Sequence, residues 1–572
     1  MKRLVGSFLF AVLVCSAAHG PKLSDDLDQI DPHANVPVII QWKSNTDAAH
    51  KIKIAGLGGV LKNGFATVHG AAYTLPGSAL DVLANDPDVK FITPDRPVYA
   101  KLDNTAAAVN AAVAWQQSVT GKGIGVAVID SGVNNDANIG SGAPFAFSYD
   151  FTSNARFSAA ADEFGHGEHV AGIISSNGKN STCSQCTRLF RGIAPDVSLI
   201  NLKVLDKNGH ATDSTVITAI EAAIALKDAY NIRVMNLSLG RPVFESYTQD
   251  PLCQAVEAAW KAGIVVVVAA GNDGRDNTFG EQGYGTINSP ANDPYVITVG
   301  AMKTENTYTR TDDLVASYSS KGPTQVDHIV KPDLVAPGNI VVSLLSPGST
   351  LARKYPSNIV NESYYMSGNY DGPSNSYFIL SGTSMAAPVV TAAAALLLQA
   401  NPNLTPDQVK ALLMDSAYKV FPPSSTVVDN GQTYTDYYDI FTIGAGYLDV
   451  AAALSSIDTV PAAGTAMSPV ANYDPDSGVV TLSYDPSSIW ANRSVWGAQS
   501  LWSAQSVWSS NVLDTADRCV WGAQAVWGER SVWGARSVWG ARSIWGARSV
   551  WGARSIWGAS DSYKGIIING EQ

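Results

Sequence analysis

Three short segments carry the residue types that acyl transfer requires. "AVIDSGV" ends an apolar run on Asp130, "EFGHGEHVAG" sets His166 among glycines at a helix start, and "LSGTSMAAPVVTAAAALLLQ" opens an apolar helix on Gly-Thr-Ser, with Ser384 at its head. A serine hydroxyl attacks poorly until an imidazole takes its proton, and the imidazole needs a carboxylate to fix its tautomer and offset its charge. The reaction also needs donors for the oxyanion. "VVVVAAGND" offers the Asn272 side chain, and the backbone amide of Ser384 offers a second donor. Each segment also has a plain reading: Thr383 or Ser384 caps its helix, Asp130 makes an ordinary strand-end turn, and His166 is structural. A two-histidine zinc helix needs its ligands at i and i+4, whereas His166 and His169 are three apart.

The elements that would position these residues are legible as alternating runs. "GIGVAVID", "SLINLKVL", "IRVMNLSL" and "GIVVVVAAGN" are continuous apolar, β-branched stretches, separated by the helical "GEHVAGII", "DSTVITAIEAAIALKDAY" and "DPLCQAVEAAWKAG". Strands buried on both faces and alternating with helices predict an α/β fold, a parallel sheet with helices on each side. The chemistry of such sheets gathers at the carboxyl ends of the strands. Asp130, Ser238 and Asn272 fall at or just past such ends.

The rest of the 572 residues bounds the function. A net charge of −12 argues against a nucleic-acid partner, which would normally meet a basic face. "MKRLVGSFLFAVLVCSAAHG" reads as an export signal over residues 1–18, with Lys2 and Arg3, then an apolar stretch, then small residues. "TCSQCT" spaces Cys183 and Cys186 for a local disulfide, and Cys253 reads as a buried helix residue. Residues 36–99 follow a strand–helix–strand–strand–helix–strand order, a ferredoxin-like α+β arrangement. Residues 456–488 read as a Pro-, Ser- and Asp-rich linker. In 489–572 Trp recurs every six residues, with one break around "NVLDTADRC", and the even period keeps the rings on one face of an extended strand. That tail is either a low-complexity appendage or a surface binding glycan, the cell envelope or another copy of itself.

"VIDSGV", "GHGEHVAG", "NLSLG", "AAGN" and "SGTSMAAPVV", in that order, resemble the subtilisin-like serine proteases. The Asp, His, Ser order is the one found in subtilisin. The resemblance runs from about Trp115 to Leu454 and implies a peptidase domain over 101–455, with Asp130, His166 and Ser384 catalytic. It makes Asn272 and the Ser384 amide the oxyanion donors. It also implies that Ser238, Leu239 and Gly240 on one side, and Ala269, Ala270 and Gly271 on the other, bind substrate.

His169 matches a structural position. Residues 19–100 would be a propeptide that assists folding and inhibits in cis, cut between about Val98 and Lys101. The product would be a secreted or cell-surface bacterial endopeptidase acting on polypeptides. No cofactor is required for the chemistry and no metal ligand is assigned; structural calcium has no located site, because the loop that often holds it carries the Cys pair here. Glu168 stands where the family usually has Thr, and either raises the His166 pKa or points away.

Overall fold

The computed structural model of the chain describes residues 22–492 apart from short stretches, of which 95–100, 140–145 and 154–159 are the longest, together with residues 570 and 571. The expected export signal, the cleavage point and nearly all of the Trp repeats lie outside the described residues. The chain divides into two units, residues 1–99 and 100–572.

In the first unit, β1 (Asn35–Trp42), α1 (Ala48–Gly56), β2 (Val60–Phe65), β3 (Gly70–Pro76), α2 (Ala79–Ala84) and β4 (Val89–Pro94) form an antiparallel sheet in the order β2-β3-β1-β4. The expected element order is observed, but "GFATVHGAAYTL" is two strands with a turn between them, and β2 starts earlier, at Val60. Strand β1 buries Val36, Val38, Ile40 and Trp42 on one face, the period-2 pattern of a one-sided sheet. With Ile54, Tyr73, Leu75, Leu83 and Ile92 these side chains make a core of the unit's own.

The second unit is built on eight strands: β5 (Gly125–Asp130), β6 (Phe147–Asp150), β7 (Ser198–Lys203), β8 (Ile232–Leu237), β9 (Val265–Ala269), β10 (Ile297–Lys303), β11 (Leu314–Val315) and β12 (Leu334–Pro337). Their order is β11-β10-β9-β8-β5-β7-β6, with β12 also paired to β10. Every pairing is parallel except the short edge pair β10–β11. The parallel sheet expected from sequence therefore carries one antiparallel edge strand. Strands β5 and β9 are buried at every residue, which is why they read as unbroken apolar runs. The helices α3 (Gly167–Ser175), α4 (Asp213–Leu226), α5 (Pro251–Lys261) and α6 (Thr383–Ala400) pack as two pairs, α4 with α5 and α3 with α6. Helix α6 is long and apolar enough to cross a membrane, yet it is core, running across β8, β9 and β10.

Residues 456–488, expected as a linker, contain paired strands, β13 (Val470–Asp474) and β14 (Val479–Ser483). Ala466, Ala471 and Trp490 pack with Tyr284, Val330, Met414 and Phe441 of the sheet unit. Ser468 donates to buried Asp333 at 2.5 Å, and Lys410 donates to Ser468 at 2.9 Å. Composition suggested a linker because the anchoring residues are few and their partners lie far away in sequence.

Candidate active site

Asp130 ends β5 and is 1% exposed; its Oδ1 accepts from the His166 ring Nδ1 at 2.7 Å and from the Ser131 amide at 2.7 Å. His166 is the N-cap residue of α3 and fully buried. Its loop is fastened by Asp162, which accepts from the amides of Phe164, Gly165 and Glu168 and from the Ser131 hydroxyl. The Ser131 hydroxyl in turn accepts from the Gly167 amide at 2.8 Å. The three reacting-type segments of the sequence do not include Asp162; its position four residues before His166, in "ADEFGH", is the available signal. A carboxylate bonded to one ring nitrogen fixes the tautomer and leaves the other nitrogen to serve as base.

Ser384 sits in the first turn of α6, and the helix does not use it as a cap. The N-cap is Gly382, and no side chain caps the helix. Gly382 holds φ 142°, a conformation open to glycine and costly for other residues, which lets the chain turn sharply from strand to helix. Pro388, inside the helix, lacks the amide that would bond the Ser384 carbonyl. The Ser238 hydroxyl takes that place, donating to the Ser384 carbonyl at 2.8 Å, while the Ser384 hydroxyl donates to the Ser238 carbonyl at 3.2 Å. The amides of the first turn have no intrahelical acceptor, so the Ser384 amide belongs to a partly positive helix end.

The Asn272 amide plane is oriented by Thr383, whose amide and hydroxyl both donate to Oδ1, at 2.8 and 3.2 Å. An oxygen held by two donors fixes the flip, so Nδ2 is the end left to donate elsewhere. Thr383, read in the sequence only as a possible cap, is thus a positioning residue. Ser238, Leu239 and Gly240 follow β8, and Ala269, Ala270 and Gly271 follow or end β9, so both groups lie at the carboxyl edge with Asn272. The Ala270 amide and carbonyl are already paired with Val299 and Asn288, so Ala270 offers a wall and no backbone bond.

The geometry places the residues at both departures from the family pattern. Glu168 is fully buried and accepts from the Asn134 amide at 2.6 Å, and burial pushes its carboxyl well above the usual carboxylate range. Its carboxyl is turned toward residue 134. Glu168→Thr is therefore expected to leave the acidic limb of the kcat/KM pH profile in place; a shifted limb would restore the electrostatic reading. Cys183 and Cys186 form a disulfide, and Cys253 is free and buried. Among the described residues no group of three or more His, Cys, Asp and Glu converges as a metal set.

His169 is buried with its Nε2 at 3.1 Å from both the Val341 and Phe378 carbonyls. Burial, with His166 nearby, lowers its pKa to about 3. The unfolded chain takes up this proton below about pH 6.5, and the folded chain resists it until about 3. This contribution to stability is therefore complete above pH 6.5 and is lost as the pH falls toward 3. The expected loss is on the order of 4 kcal/mol. Urea midpoints at pH 7 and pH 4 should fall less in His169→Asn than in the parent; an equal fall removes His169 as the cause.

A buried imidazole–carboxylate pair at the end of a parallel strand, and a serine at the head of a buried helix that packs against the helix begun by the histidine, are the parts that a serine hydrolase requires. The chain belongs to the subtilase family: the model described as "Subtilase family" matches residues 121–441. It is 38% identical over 356 residues to serine protease AprX of Bacillus subtilis (strain 168), covering 61% of this chain and 74% of that protein. It is 32% identical over 378 residues to subtilisin E of the same organism, covering 65% and 81%. A crystal structure of a cold adapted subtilisin-like serine proteinase aligns at 27% identity and TM-score 0.39, covering 58% of this chain and 90% of that one. The chain is a subtilisin-like serine endopeptidase, and this chemistry needs no cofactor.

Proposed function

We propose that Asp130, His166 and Ser384 are the catalytic triad of an exported endopeptidase made as a self-inhibited precursor. The observation that carries this reading is the buried 2.7 Å bond from His166 Nδ1 to Asp130. His166 Nε2 takes the Ser384 proton once the hydroxyl turns from the Ser238 carbonyl toward the ring. Oγ attacks the peptide carbonyl, and Asn272 Nδ2 and the Ser384 amide donate to the oxyanion. Asp130 stabilises the imidazolium, which gives its proton to the leaving amine. Water, deprotonated by His166, then hydrolyses the acyl-enzyme.

Ser238 to Gly240 and Ala269 to Gly271 flank the bound polypeptide. Residues 19–100, whose first described part has its own core, act as the propeptide in cis. The basic and then apolar start of the chain supports export. The Trp-rich tail is the part that meets envelope, glycan or another copy.

Intact mass of the purified chain beside Ser384→Ala tests self-processing. The expected result is loss of the first hundred or so residues in the parent alone. Equal trimming of both, or full-length chains in both, would overturn self-processing.

A further inference from the structure

Beyond the peptidase site, one built polar pocket holds a distant piece of the same chain. Glu571 is 4% exposed, and its Oε2 accepts from Arg275 Nη2 at 3.0 Å, from the Ser317 amide at 3.0 Å and from the Ser317 hydroxyl. Lys303 Nζ lies 3.4 Å from Oε1. Arg275 and Lys303 are themselves nearly fully buried, with side chains 1% and 6% exposed. A carboxylate is costly to bury unless it is paired and hydrogen-bonded, and here it is both.

The backbone is read as well. Asn339 donates to the Glu571 carbonyl and accepts from the Glu571 amide, each at 2.8 Å. The preceding residue must be glycine. Gly570 has φ 79°, and a Cβ there would lie 2.4 Å from Ile340 Cγ1 and 2.9 Å from Ser381 Oγ. Side-chain charge, backbone polarity and a demand for glycine are three separate selections for one dipeptide. The pocket's residues come from four places: the loop three residues past Asn272, the end of β10, the chain after β11 and the turn after β12.

We propose that Arg275, Lys303, Ser317 and Asn339 form a docking site for an acidic Gly-Glu peptide, filled in cis by Gly570–Glu571. The site keeps the segment beyond the Trp repeats bound to the catalytic unit by non-covalent contacts, so a cut within the repeats does not release it. This inference does not depend on the catalytic roles.

The test uses the full chain carrying Ser384→Ala, with Glu571→Gln or Gly570→Ala added to weaken the cis occupant. The probe is a synthetic, fluorescein-labelled peptide of the sequence of residues 566–572, IIINGEQ, followed by fluorescence anisotropy. Both weakened chains should bind it saturably, at least about ten-fold more tightly than a peptide carrying Gln in place of Glu. The chain with its own Gly-Glu intact should bind it at least about ten-fold more weakly than the weakened chains do. Gly570→Ala keeps every charge in place, so it remains informative if Glu571→Gln folds poorly. Absence of binding to the Gly570→Ala chain, or equal binding of the Gln peptide, would overturn the proposal.

Discussion

Ser384→Ala is expected to lower kcat by a factor on the order of 10⁶, with KM little changed. That scale is the one known for removing the nucleophile or base of subtilisin, a relative of this chain, and is carried over from it. The reason for expecting the full loss lies in the local geometry. The Ser384 hydroxyl is held at the head of α6 by a single bond to the Ser238 carbonyl, and no capping bond competes for it. The methyl of alanine fits the same backbone, since Gly382 and Pro388, which shape the turn and the first helical turns, are untouched. In the proposed triad nucleophile and base act as one unit, so adding His166→Ala to Ser384→Ala should cost almost nothing more. Steady-state kinetics on a peptide amide substrate would measure both. A double variant falling far below either single one would mean that the two residues act separately.

Asn272→Ala should lower kcat by about 10²–10³, equivalent to about 2.7–4 kcal/mol of transition-state stabilisation, and leave KM nearly unchanged. This magnitude also comes from the side-chain oxyanion donor of subtilisin. In the present chain the Asn272 amide, the proposed donor, is oriented by Thr383 through two bonds to Oδ1. Thr383→Val removes the hydroxyl bond and keeps the amide bond, so it should give a smaller loss in the same parameter. A rise in KM without loss of kcat in Asn272→Ala would instead make Asn272 a ground-state binding residue.

The central strands and the residues of the proposed site stand out in the sequence for a common physical reason. Strands β5, β7, β8 and β9 are buried on both faces and so read as unbroken apolar runs. Asp130 and Asn272 stand out as polar residues just where two of those runs stop. The head of α6 was ambiguous, because Gly-Thr-Ser is equally good capping sequence. What decided it was the Gly382 conformation and the carbonyl freed by Pro388, neither of which a composition pattern contains.

Strand β6 and the edge pair β10–β11 went unread. The first is half-buried and four residues long, and in the second β11 has only two residues, too few to set a pattern. The hairpin β13–β14 reads as linker in the sequence because Ser468 finds Asp333 and Lys410 only after folding. Glu571 was the least legible of all, since its partners Arg275, Ser317 and Asn339 lie more than 230 residues away.

The most direct test of the central claim is covalent labelling with an alkyl fluorophosphonate, read as intact mass and then by peptide mapping. An activated serine displaces fluoride and keeps the phosphonyl group, whereas an ordinary buried hydroxyl does not react. The account predicts one adduct per chain, located on Ser384, and its disappearance when His166 is replaced by Ala. An adduct on another serine, or a chain that hydrolyses peptides while Ser384 stays unlabelled, would contradict it.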